Sequence, residues 1–196
     1  RGAVPYSVFL DPPFSRVGLS ETEAAEQGYE YTGALNVLQV IFSYEYLWLN
    51  IRVKGGAYGC MCSFMPQGDS MFVSYRDPNL LETYQVYENA ADFVEHFDID
   101  DRDMVKYIIG TISNKDVPRT PQMQGSISKT AYFSNVTEDM LQKERNQILG
   151  AQKEDIQKLA ALVEAVLSDD QICVVGSETA IEKAEDVFME VKPLIG

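Results

Sequence analysis

Apolar residues recur at helical spacing from residue 31 to about residue 53. Leu35, Leu38, Ile41, Phe42, Trp48 and Leu49 mark the stripe, and further apolar side chains fill most remaining faces. The pattern predicts one long, largely buried helix. Gly55-Gly56 ends it, because residues able to adopt positive φ close a helix at little cost. Beyond the glycines the period becomes two. Residues 57–65 and 71–75 read as strands, and Pro66-Gln67-Gly68-Asp69 between them has hairpin-turn chemistry. Cys60, Cys62 and Phe64 share one face of the first run, while Phe72 and Ser74 oppose Met71, Val73 and Tyr75 in the second.

Residues 79–167 then read as helical in pieces. Residues 80–97 form one helix and 100–113 another, with Asp100 placed to cap it. Residues 117–125 carry two prolines and read as a looser stretch before a short helix over 126–133. Thr137 caps a helix that runs to Gly150, with Glu138 and Asp139 at its positive end. Ile156, Leu159, Ala160, Val163, Val166 and Leu167 line one face of the next helix. Residues 171–175 read as a short strand, Ser177 as the cap of a last helix, and 188–191 as an edge strand. At the start, residues 3–10 have strand character until Asp11-Pro12-Pro13 stops them, and an acidic connection covers 21–30. Strands first, then helices, then strand is not the alternation of a parallel α/β fold. It predicts an α+β class in which helices pack on one face of a mainly antiparallel sheet. No repeat, heptad array or Gly/Ser-rich linker divides residues 1–196, so they read as a single domain.

Composition narrows the function. Of 196 residues 45% are hydrophobic and 23% charged, enough apolar content for a sizeable core and too much for a disordered chain. The net charge of −14 repels phosphate, which argues against generic binding to nucleic acid or anionic membranes. No apolar run approaches the roughly 20 residues that span a bilayer. His96 is the only histidine, so neither a two-histidine zinc site nor H-E-x-x-H or its inverse exists within this chain. Cys60, Cys62 and Cys173 are too few for a disulfide scaffold and fit a reducing compartment, from which a cytoplasmic location is expected. The C-x-C pair has core-packing rather than redox spacing. The opening residues show neither an initiator Met nor a signal pattern, and the chain reads as a piece of something longer, whose transit peptide, if organellar, would lie upstream.

Candidate chemistry concentrates in Arg52-Val53-Lys54-Gly55-Gly56-Ala57-Tyr58-Gly59, a helix-to-strand junction holding a guanidinium, an ammonium, a phenol and glycines. Arg and Tyr can donate hydrogen bonds to a carbonyl or an oxyanion, and glycines admit close backbone approach. An ordinary helix end with basic residues, a glycine cap and a strand tyrosine explains the same residues, and physics alone favours it. The G-x-x-x-x-G-K-[ST] spacing of a phosphate loop is absent. His96 reads as a capping or surface residue. Asp98, Asp100, Asp101 and Asp103 lack the glycine and terminal Glu of an EF-hand and read as a capped helix start. Gly176-Ser177-Glu178 is too slight for a phosphate turn.

Tyr29-Glu30-Tyr31-Thr32-Gly33-Ala34, Tyr46-Leu47-Trp48, Ile51-Arg52-Val53-Lys54-Gly55-Gly56-Ala57-Tyr58-Gly59 and Ser74-Tyr75-Arg76-Asp77-Pro78-Asn79-Leu80, in this order, resemble one family. It is the C-terminal domain of the presequence-peptidase branch of the pitrilysin/insulinase zinc metallopeptidases. The resemblance runs well from about Gly28 to Leu149 and more loosely to the end, while residues 1–27 match poorly. It implies several similar α+β units in one polypeptide, forming two halves that close around a chamber. The first unit carries the inverted zinc motif, and this chain resembles the last, whose Arg and Tyr reach across to the substrate. Those two match Arg52 and Tyr58, six positions apart. By the resemblance Tyr58 hydrogen-bonds the reacting carbonyl, Arg52 holds the substrate, and Gly55 and Gly56 let it pass close to the main chain. Zinc is then bound by another domain and none by this one. The expected partners are the N-terminal zinc-binding half of the same polypeptide and unfolded peptide substrates, with no nucleic acid and no membrane. The domain alone is expected to be inactive. The alternatives are a pseudo-enzyme or structural subunit of the same fold, and a peptide-binding module.

Overall fold

Two short strands open the computed structural model, which describes residues 6–8, 14–16, 30–66, 70–168 and 172–193. Strands β1 (Tyr6–Val8) and β2 (Phe14–Arg16) pair antiparallel, with Ser7 opposite Ser15. The Asp11-Pro12-Pro13 stop and residues 21–29 of the acidic stretch lie outside the described residues.

The apolar stripe after Tyr31 does form a long helical rod, but its winding changes midway. Helix α1 (Ala34–Ile41) buries Val37, Leu38 and Ile41 completely. It continues as π-helix over Phe42–Tyr46 and again over Trp48–Lys54. The Leu47 and Gly55 amides accordingly donate to carbonyls five residues back, Phe42 and Asn50. A wider turn carries a different set of side chains to the core side. Phe42, Leu47 and Ile51 point inward, whereas Trp48 and Leu49, expected on the buried stripe, are 41% and 44% exposed.

Strands β3 (Gly59–Phe64) and β4 (Ser70–Tyr75) form the expected hairpin, with Cys60 opposite Ser74, Cys62 opposite Phe72 and Phe64 opposite Ser70. Turn residues 67–69 lie outside the described set. The alternation works as period two requires. Cys62 and Phe64 are buried, and Phe42 meets the rings of Phe64 and Phe72 at centroid distances of 6.4 and 5.6 Å. The outer face exposes Met61, Met71, Val73 and Tyr75.

Helices cover the inner face. The helix expected over 80–97 is two, α2 (Leu80–Glu88) and α3 (Ala90–Glu95). The break falls at Asn89, whose side-chain amide donates to the Gln85 carbonyl at 2.6 Å and competes with the helical ladder. Helix α4 (Asp101–Lys115) is capped by Asp100 as expected. The loose stretch expected over 117–125 is already helical from Pro121, because α5 (Pro121–Phe133) takes Thr120 as its cap and proline fits a first turn. Helix α6 (Glu138–Leu149) starts at the Thr137 cap, followed by α7 (Lys153–Gln157) and α8 (Ala160–Leu167). Ser177 precedes α9 (Glu178–Glu182) but makes no capping bond. The strands expected at 171–175 and 188–191 are not found among the described residues: 172–175 and 188–191 are irregular, and Gln171 lies outside. Short apolar runs do not specify a strand unless a neighbour offers its edge.

Helix α1 is the centre, packing against β3, α4, α6 and α7, while α3 packs on α8. Its entry is pinned by Glu144 of α6, which accepts from Tyr31 Oη at 2.6 Å, Asn36 Nδ2 at 3.1 Å and Lys115 Nζ at 2.7 Å. Burial pushes the Glu144 carboxyl up, but these donors outweigh it and hold its pKa below the ordinary value. Gly33 lies so close to α6 that an added Cβ would stand 2.5 Å from the Glu144 carbonyl oxygen. The α+β class therefore stands, with both described ladders antiparallel. Among the described residues no helix is long and apolar enough to cross a membrane.

Candidate functional site

The rod ends where its own carbonyls close over two glycines. Gly55 N–H donates to Asn50 O at 3.0 Å, Gly56 N–H to Arg52 O at 2.9 Å and Ala57 N–H to Ile51 O at 3.1 Å. A Cβ on Gly55 would stand 2.6 Å from the Ile51 carbonyl oxygen, and Gly56 has φ +80°. Each glycine thus has a conformational requirement of its own, whatever passes above it. The chain then turns into β3, and the Tyr58 amide is shared by the carbonyls of Tyr75 and Arg76 at 3.1 and 3.3 Å.

The second motif, after β4, is folded against the first. Asn79 Nδ2 donates to the Gly55 carbonyl at 2.5 Å. Asp77 accepts from the Asn79 amide at 3.0 Å through one oxygen and from the buried Thr83 hydroxyl at 2.6 Å through the other. Arg76 stands at φ +49°, a left-handed conformation that costs a residue with a Cβ about 1–2 kcal/mol. Residues 52–59 and 74–80, separated in sequence by the hairpin, are one structural unit.

Each side chain of the predicted pair has its own aromatic neighbour. The Arg52 guanidinium lies 4.0 Å from the Trp48 ring centroid. The Tyr58 ring is 65% exposed and meets Tyr75 edge to face at 6.0 Å, with the Arg76 guanidinium 5.7 Å from Tyr58 and 5.4 Å from Tyr75. Among the described residues neither Arg52 nor Arg76 has a carboxylate partner. Beneath them burial pushes the Cys60 thiol up, opposed by the Arg52 charge and helped by Asp77. Cys62, deeper in the core, is pushed up to about 12 by burial. Both thiols are therefore inert packing groups at neutral pH.

Sequence reasoning reached Arg52, Gly55, Gly56 and Tyr58 but gave no role to Trp48, Arg76, Asp77 or Asn79. Two signals were available: Trp48 is four residues before Arg52, one helical turn away, and Asp-Pro-Asn is turn chemistry.

The remaining candidates are structural. His96 follows α3, exposed, with Nδ1 3.0 Å from the Asp92 carbonyl oxygen, and that contact raises its pKa. Asp98 pairs with Lys153 at 2.6 Å, Asp100 caps α4 and Asp103 pairs with Lys106. Among the described residues no three metal-ligating side chains converge.

The sequence profile of the PreP C-terminal domain matches residues 14–178, which takes in every motif quoted above and also residues 14–27. Protein HypA of Clostridium perfringens is 42% identical over 168 residues, 86% of this chain and 17% of that protein. Presequence protease 1, chloroplastic/mitochondrial, of Arabidopsis thaliana is 35% identical over 169 residues, 84% of this chain and 16% of its own length. The mitochondrial presequence protease of Saccharomyces cerevisiae is 31% identical over 147 residues, 71% of this chain and 14% of that protein. The organellar names lend the cytoplasmic expectation no support. The chain spans about a sixth of the length of these relatives. With a profile match over most of its length and relatives 31–42% identical across most of it, the chain belongs to the family of PreP C-terminal domains.

Proposed function

We propose that this chain is the substrate-contacting C-terminal domain of a zinc metalloendopeptidase that hydrolyses unfolded peptides in a closed chamber. The observation that carries the reading is the junction itself. A phenol and a guanidinium stand six residues apart on a backbone fixed by both motifs, Tyr58 exposed and Arg52 half-buried, each beside an aromatic neighbour and, among the described residues, with no carboxylate partner. The family relatives named presequence proteases support the peptidase assignment.

Attack on a peptide carbonyl places negative charge on its oxygen, and the Tyr58 hydroxyl is suited to donate a hydrogen bond to that charge as it develops. Arg52, planar and supported by Trp48, is suited to hold backbone carbonyls or a carboxylate and so to fix the peptide's orientation. The outer sheet face, with Met61, Val73 and Tyr75 beside Tyr58, offers apolar contact to an unfolded chain. Among the described residues no metal-ligating cluster forms; on this reading the metal and its Lewis-acid chemistry would be supplied by the zinc-binding half of the parent polypeptide.

The test is complementation. The parent lacking these residues, this domain, and the two mixed are each given an unstructured fluorogenic peptide, with and without a chelator. Chelator-sensitive cleavage that requires the domain is expected. Full activity without the domain, or none from two folded and associated parts, overturns the reading, the latter in favour of a pseudo-enzyme.

A further inference from the structure

We propose that Arg76 is a positioning residue for Tyr58, its guanidinium holding the phenol ring in the orientation the reaction needs; this rests on the role given to Tyr58 above. Among the described non-glycine residues only Arg76 and Asn135 have positive φ, and asparagine visits that region readily whereas arginine does not. The turn is clamped on both sides. The Tyr58 amide binds the carbonyls of Tyr75 and Arg76, Asp77 is fastened to Asn79 and Thr83, and Asn79 holds Gly55. A glycine would take φ +49° without strain, so what the position gains from arginine is its side chain. That side chain folds back until its guanidinium lies within cation–π range of both rings, 5.7 Å from Tyr58 and 5.4 Å from Tyr75. Tyr58 is two-thirds exposed, and a ring so open has little else to hold its rotamer. The Tyr75 ring, nearly perpendicular to it, and the Arg76 guanidinium supply that restraint.

The experiment uses the full-length parent and measures kcat and KM on an unstructured peptide. Arg76→Gly suits the positive φ of the turn and removes the side chain that carries the guanidinium. It is expected to lower kcat about three- to tenfold with KM changed less than about twofold, the signature of a lost transition-state interaction. Arg76→Lys, which keeps the charge without the planar fork, recovers part of the loss. In a Tyr58→Phe background the ring no longer carries the hydroxyl, so adding Arg76→Gly changes kcat by less than about twofold. The same loss in both backgrounds, a rise in KM at unchanged kcat, or no change in kcat overturns the proposal. A wild-type parent that cleaves nothing overturns the peptidase reading itself, and the positioning role falls with it.

Discussion

At the scale of single residues, Asp77 joins a turn to the helix that follows it. One carboxylate oxygen accepts from the Asn79 amide and the other from Thr83, whose side chain is 4% exposed. Asp77→Ala leaves a buried hydroxyl without a partner and loosens the residue that holds the Gly55 carbonyl. The expected loss of unfolding free energy is about 1–3 kcal/mol, read by urea titration with Trp48, the only tryptophan, as the probe. Asp77→Asn, which retains acceptor capacity, loses less. Equal stability of Asp77→Ala and the wild type contradicts this account of the turn. Residues of this kind were partly legible. Caps such as Asp100 and Thr137 obey chemistry confined to a few neighbours and stand where their sequence context put them. The i, i+4 spacing of Trp48 and Arg52 was a local signal for their stacking, whereas Asp77 reaches Thr83 only once α2 has formed and could not be read from local context.

Among elements, the same contrast recurs. Period two gave the hairpin and its inward face, since alternation survives twisting and bending. Period 3.6 located the rod but misplaced Trp48 and Leu49, because apolar residues on nearly every face leave the winding to be settled by packing. The break at Asn89 and the early start at Pro121 were hidden for a related reason: each residue acts through one hydrogen bond or one missing donor, which hydrophobic pattern does not record. The link from Tyr31 and Asn36 to Glu144 of α6 spans over 100 residues and was invisible in sequence. Its pH dependence follows from direction alone. The carboxyl is held below its ordinary value of 4.5, so its stabilisation is complete above that value and is lost as pH falls through the lowered one. Glu144→Gln is expected to unfold at lower urea than wild type at neutral pH, with the gap narrowing as pH falls below about 4.5. A gap that stays constant across that range contradicts the assignment.

As a whole, the molecule carries a net charge of −14 yet leaves apolar side chains open on particular faces. The outer side of the hairpin and all of α5, which has no buried residue, are the extended examples. Extended apolar faces of this kind mark interaction surfaces in folded proteins. Only the resemblance of the two motifs raised the junction above an ordinary helix end, because every residue in it also has a structural purpose. Arg52 stacks, Gly55 and Gly56 satisfy the turn, and Tyr58 leads into a strand, its amide bound by the carbonyls of Tyr75 and Arg76. The two purposes separate at one atom, the Tyr58 hydroxyl, which makes no hydrogen bond within the described fold. The most direct measurement is therefore turnover of an unstructured peptide by the full-length parent carrying Tyr58→Phe, with bound zinc determined in parallel. The expected result is a fall in kcat of about 10²–10³-fold at unchanged zinc content, matching the loss of one oxyanion donor; wild-type turnover with zinc still bound contradicts the role given to the Tyr58 hydroxyl.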